Sequence, residues 1–81
     1  MYKISSFANG EPNCKRLYPD EVTTYEEATV LLNKFKTVNS QSGNSVSEIQ
    51  NDSFSCIDGT LKNERIFQIE KLYFSFPNDK N

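Results

Sequence analysis

The first eight residues follow a period of two, with one face more apolar than the other, which predicts a β-strand. The members of the more apolar face are Tyr2, Ile4, Ser6 and Ala8. Asn9 and Gly10 follow, a pair that readily adopts the positive φ angles of tight hairpin turns. Beyond the turn, alternate residues share one face of a return strand: Cys14, Arg16 and Tyr18. We expect this strand to end at Pro19 and Asp20.

The next segment predicts one amphipathic helix. Thr24 and Glu27 have the spacing of a capping box, in which a hydroxyl and a carboxylate satisfy backbone N–H groups at the helix start. Apolar residues then follow the i, i+3, i+4, i+7 spacing of a buried stripe: Ala28, Leu31, Leu32 and Phe35. Lys34 and Lys36 suit the negative end of the helix dipole. The polar residues 40–44 predict an exposed loop.

The third segment predicts strands less strongly. Short strands are expected at 46–50 and 53–57, around a turn at 51–52, and a further turn is expected at 58–59. Residues 65–76 are rich in β-branched and aromatic side chains, which favours a strand. The alternative for this stretch is a helix, whose cap and apolar positions are Asn63, Ile66, Ile69, Tyr73 and Phe76. The sequence leaves both open.

Together these elements predict a small α+β domain. We expect an antiparallel sheet built from a β-hairpin and two or three later strands, with the helix packed on one face. Its predicted core is Leu31, Leu32, Phe35, Ile4, Ile69 and Phe67. A chain of 81 residues has room for one core, so we assign residues 1–76 to a single domain and 77–81 to a polar tail.

Composition narrows the classes of function. Hydrophobic residues make up 36% and aromatic residues 12%, so the core must depend on aromatic rings. The net charge is −2 and the basic residues are scattered, which makes a nucleic-acid partner unlikely on sequence grounds. No apolar run is long enough for a signal peptide or a membrane span. We therefore expect a soluble, cytoplasmic protein with no membrane partner.

The residues needed for common catalytic and metal sites are missing from the sequence. It contains no histidine, so triads that use a histidine base are excluded. Single glycines cannot form a phosphate-binding loop, and we expect no catalytic residues, no metal site and no cofactor. Cys14 and Cys56 both fall in predicted strands. They are read as small apolar thiols, with a disulfide between them left open.

Four carboxylates fall within eight residues near the predicted helix start: Asp20, Glu21, Glu26 and Glu27. One interpretation is an acidic surface that docks on a basic partner. The other is helix-start chemistry, in which acids offset the positive end of the dipole.

The last predicted strand carries apolar residues on both faces. Phe67, Ile69 and Tyr73 fall on one side, and the opposite side carries Ile66, Leu72, Phe74 and Phe76. One helix covers only one sheet face, so the other face must be covered by loops or by a partner, unless a bulge near residues 70–71 changes the alternation. A terminal strand is often a sheet edge, which favours a partner.

By elimination, we expect a non-enzymatic binding module that docks on a protein partner. The predicted partner-binding residues are Tyr73, Phe74, Phe76, Asp20 and Glu21. Such a module acts as a regulator, or as a phage-type inhibitor that occludes its target. A homodimer is compatible with this reading. The alternative is a homo-oligomer that sequesters a small molecule at a subunit interface. A third hypothesis is an enzyme that uses carboxylates or tyrosines.

Overall fold

The computed structural model describes residues 1–72, which form a five-stranded antiparallel sheet with one helix on one face. The elements are β1 (Tyr2–Ala8), β2 (Arg16–Val22), α1 (Tyr25–Gln41), β3 (Ser45–Val46), β4 (Ser53–Ile57) and β5 (Glu64–Lys71). Across the sheet the order is β2-β1-β5-β4-β3. The predicted α+β class, a hairpin followed by a helix and further strands, is confirmed.

The last described strand, β5, lies at the centre of the sheet, so its predicted place at an edge is wrong. It pairs with β1 on one side and with β4 on the other. Its register with β1 runs without a shift from Ala8↔Arg65 to Tyr2↔Lys71, so the expected bulge near residues 70–71 is absent from this pairing. Over residues 64–71 the segment is a strand, and the alternative helix is wrong there.

The edge strand β2 continues past Pro19 to Val22, although we expected it to end at Pro19 and Asp20. Proline cannot donate a ladder hydrogen bond, but an edge strand and a bulge both tolerate it. The register with β1 shifts between Lys3↔Glu21 and Ser5↔Leu17, which places a bulge around Pro19. The strand β2 therefore continues through Pro19.

The predicted capping box opens α1: the Glu27 backbone N–H donates to Thr24 Oγ1 at 3.1 Å, and the Thr24 backbone N–H donates to Glu27 Oε1 at 3.0 Å. The helix ends later than expected, because residues 40–41 of the predicted loop belong to it. Chain direction changes only at Gly43, whose φ of 90° suits glycine. The last turn contains no basic residue, so the predicted place of Lys34 and Lys36 at the helix end is also wrong.

The segment between α1 and β5 keeps its predicted turns but has a shorter first strand. Asn51 and Asp52 have φ angles of 52° and 61°, which confirms the tight turn there. Strand β3 is only two residues long instead of the predicted 46–50. The Ser47 hydroxyl accepts the Ser55 backbone N–H at 2.8 Å, so a side chain takes the place of a ladder acceptor at this edge.

The core lies between α1 and the central strands. Its buried cluster is Ile4, Leu32, Phe54, Cys56 and Phe67, with Leu31, Phe35 and Ile69 half-buried around it. All six predicted core residues therefore take part. Phe54 was not predicted, yet its ring stacks on Phe67 with centroids 5.1 Å apart. Cys56 is buried in β4, but Cys14 is exposed before β2 begins, outside any strand, and both thiols are free.

Candidate functional site

A groove runs between α1 and the edge strand β2, because the helix lies over the central strands and leaves its flank open on this side. We call it the helix–edge groove; its principal residues are Asp20, Glu26, Val30, Leu31, Lys34, Phe35 and Val38. It consists of two depressions of about 450 and 240 Å³ that share Lys34. From Glu26 to Val38 it follows the helix for ~18 Å, at ~1.5 Å per residue.

The walls of the groove are apolar. Val30 and Val38 are 71% and 53% exposed, and with Lys34 between them they stand four residues apart along one side of α1. Leu31 and Phe35 form the deeper part and are half-buried against the core. The long stem of Lys34 adds apolar surface while its ammonium group stays in water.

The predicted acidic cluster divides between two faces of the sheet. Side chains alternate along a strand, so Asp20 lines the groove while its neighbour Glu21 points away from the helix, opposite Lys3. Glu26 joins Asp20 in the groove. The carboxylates of Asp20 and Glu26 have no hydrogen bond or ion pair within residues 1–72. The structure thus brings one of the two predicted acidic site residues into the groove.

Glu27 also borders the groove, but its carboxylate is engaged in the helix cap. Hydrogen bonds from the backbone and hydroxyl of Thr24, and from the Thr23 backbone, lower the pKa of Glu27. Helix-start chemistry therefore explains Glu27 and leaves the other carboxylates available.

The predicted aromatic contacts Tyr73, Phe74 and Phe76 lie outside the described residues, so they stay a prediction. Val30 and Val38 were not predicted as site residues, because they lie beside the buried stripe of α1 and not within it. Their spacing was the available signal: Val30, Lys34 and Val38 recur every four residues next to Leu31 and Phe35.

The sheet face away from α1 is less apolar than predicted over the described part of β5. Phe67 and Ile69 point towards the helix as expected, but the opposite face carries Ile66, Gln68 and Glu70. Glu70 Oε1 accepts hydrogen bonds there from Lys15 Nζ at 2.6 Å, Gln68 Nε2 at 2.6 Å and Ser5 Oγ at 3.2 Å. This polar cluster shares the open face with apolar side chains, among them Phe7 and Ile66, which are partners across β1 and β5.

Two further properties concern residues 1–72 only. No three histidine, cysteine, aspartate or glutamate side chains gather there in a way that could hold a metal ion. No helix in this range has both the length and the apolar character required to cross a membrane.

Comparison with known proteins finds no matching family model, no similar curated protein and no similar solved structure.

Proposed function

We propose that this protein is a non-enzymatic binding module that docks on a protein partner through the helix–edge groove. The partner segment carries basic side chains next to apolar ones. One observation carries the proposal: the groove combines the exposed Val30 and Val38 with the unpaired carboxylates of Asp20 and Glu26.

Charge and shape favour a protein segment over other occupants. Exposed apolar side chains in a concave surface gain free energy when a partner removes them from water, about 25 cal/mol per Å². Carboxylates at the rim select lysine or arginine and repel phosphate groups, so the charge disfavours nucleic acid. An open, elongated groove of this length suits a peptide segment better than a compact metabolite.

A second copy of the chain is a poorer occupant of the groove. In a two-fold symmetric dimer the same patch meets itself, so four carboxylates, from Asp20 and Glu26 of both copies, would share the interface with only two Lys34 ammonium groups. The sheet edges are also unsuited to strand addition. One edge contains Pro19 and a bulge, and β3 at the other is two residues long. We therefore favour a different protein, which the module regulates or inhibits by covering its surface.

Selection of random short peptides on the immobilised protein tests this proposal. We expect enriched peptides to combine lysine or arginine with leucine, isoleucine, valine or phenylalanine. Val30→Asp together with Val38→Asp should weaken their binding by about tenfold or more, ~1.4 kcal/mol per factor of ten. Leu61→Asp is the matched control, because Leu61 is as exposed as Val30, at 71%, and lies outside the groove.

Charge reversal supplies the second part of the test. Asp20→Lys with Glu26→Lys should reverse the preference towards acidic peptides, and added salt should weaken binding to the original chain. Peptides without basic residues, or equal losses in the groove and control variants, would contradict the proposal. Light scattering checks the oligomer: self-association abolished by the valine substitutions would replace the foreign partner by a second copy.

A further inference from the structure

A second concavity lies on the helix-bearing face of the sheet, towards the carboxyl end of α1. We call it the β5 cavity; its volume is about 560 Å³, and its principal residues are Ala8, Glu11, Cys56, Glu64, Arg65 and Phe67. Arg65 pairs with Ala8 on β1 and with Cys56 on β4, so three adjacent strands supply its floor. Volumes of ~300–1,000 Å³ are typical of small-molecule sites.

Arg65 is a fixed cation on this floor. Its Nε donates to Ser6 Oγ at 3.1 Å, and the Ser6 hydroxyl is itself hydrogen-bonded to Tyr18 Oη at 3.0 Å. This chain of contacts orients the guanidinium group. Within residues 1–72 its two terminal nitrogen atoms have no hydrogen-bond partner, and no other described lining residue is cationic. The site therefore offers a forked donor for a carboxylate or phosphate group.

Three acidic residues border the same cavity, and they differ in where their carboxylates lie and in how many hydrogen bonds these accept. Asp58 accepts the backbone N–H groups of Thr60 and Leu61 at 2.6 and 2.7 Å, and these hydrogen bonds lower its pKa. Glu64 accepts one hydrogen bond from the side chain of Asn9, at 2.8 Å. Glu11 has no hydrogen bond from another side chain in the described part of the chain. Alternation along β5 places the Glu64 side chain on the opposite face of the sheet from Arg65. Glu11 is therefore the carboxylate that can accept hydrogen bonds from a ligand.

The wall next to α1 is held in place before any ligand arrives. Asn39 Nδ2 donates to the Phe35 carbonyl at 2.8 Å, and Asn44 Nδ2 donates to Asn39 Oδ1 at 3.4 Å. The Gly59 backbone N–H in turn donates to Asn44 Oδ1 at 3.4 Å. A wall fixed in this way lowers the ordering cost of binding.

We infer that the β5 cavity binds a small zwitterion of the size of a free amino acid. Its anionic group meets Arg65, its ammonium group meets Glu11, and its apolar part lies against Ala8 on the cavity floor. An anion without an ammonium group would lie near the carboxylates of Glu11 and Asp58, and a cation without an anionic group would lie near the positive charge of Arg65. The site is separate from the helix–edge groove and does not depend on it.

Thermal melting and titration calorimetry with each of the common free amino acids test this inference. A ligand that binds only the folded state raises the Tm. We expect at least one amino acid to raise it, and its N-acetyl derivative and its methyl ester each to bind at least about tenfold more weakly. Failure of every amino acid at millimolar concentration, or undiminished binding of the N-acetyl derivative, would overturn the inference.

Two arginine variants locate the site. Arg65→Met should weaken binding by about tenfold or more, whereas Arg16→Met should leave it unchanged, because Arg16 lies on β2 outside the cavity. Glu11→Gln changes the site and should leave the fold intact, since Glu11 is exposed in a turn. It should weaken binding of the amino acid without lowering the Tm of the ligand-free protein. Equal affinity in all three variants would place the ligand elsewhere.

Discussion

The side chains around Glu70 together affect its pKa more strongly than its partial burial does. Partial burial by itself would raise the pKa of Glu70. The hydrogen bonds from Lys15, Gln68 and Ser5, with the positive charge of Lys15, lower it below the ordinary value of 4.5 instead. Because the folded pKa lies below the unfolded one, Glu70 stabilises the fold above about pH 4.5, and this contribution is lost as the pH falls through the folded pKa.

We predict that Glu70→Gln makes the free energy of unfolding less sensitive to acid. At neutral pH the variant should be less stable than the original chain, because the amide lacks the charge that Lys15 pairs with. The difference should shrink as the pH falls below 4.5. Urea denaturation over this range measures both effects. Glu21→Gln is the control, since the Glu21 carboxylate has no hydrogen bond or ion pair within residues 1–72. A matching change in that variant would point to net charge as the cause.

The start of α1 could be predicted from the sequence, but its end could not. Its capping box and buried stripe could be read from the sequence because both depend on residues within one or two turns. Its end could not, because serine and glutamine at 40–41 look like loop residues but extend an exposed last turn until Gly43. The predicted end of β2 was too early for a similar reason. A proline indicates the end of a strand unless that strand lies at the edge of a sheet, and the sequence does not show which strands are edges.

We predict that Thr24→Ala lowers the free energy of unfolding by about 1 kcal/mol, the usual cost of losing an N-cap side chain. Thr29→Ala tests the same chemical change one turn further along, where Thr29 Oγ1 only donates to the Tyr25 carbonyl. Alanine is the better helix former, so that variant should be neutral or slightly stabilising. Chemical denaturation of both proteins compares them. Equal losses would mean that the cap contributes nothing specific.

At the scale of the whole molecule, the order of the strands in the sheet could not be predicted from the sequence. A period of two shows which residues share a face, but not which strand lies alongside. The insertion of β5 between β1 and β4 therefore could not be foreseen, and neither could the stacking of Phe54 on Phe67 across that pairing. The sequence predicted only part of the helix–edge groove. Asp20 was identified from its charge, whereas its place beside Val38 depends on how α1 crosses the sheet.

We predict that Phe54→Ala costs about 3–5 kcal/mol, because Phe54 is only 2% exposed and its removal leaves a cavity at the centre of the core. Small domains have ~5–15 kcal/mol in total, so the variant should be close to unfolding at 25 °C. Ile57→Ala, in the same strand but 38% exposed, should cost much less. Thermal melting distinguishes them, and similar losses would show that Phe54 is not central.

The pairing of β1 with β5 has a consequence for synthesis. Its partner residues, such as Ile4 and Ile69, are separated by most of the described chain, and contacts of such long range slow folding. While a ribosome is still adding residues before β5, β1 has only β2 beside it, and an isolated two-stranded hairpin is at best marginally stable in water. The aromatic residues of the nascent chain therefore stay exposed to aggregation until residues 64–71 have emerged from the exit tunnel and the sheet can form.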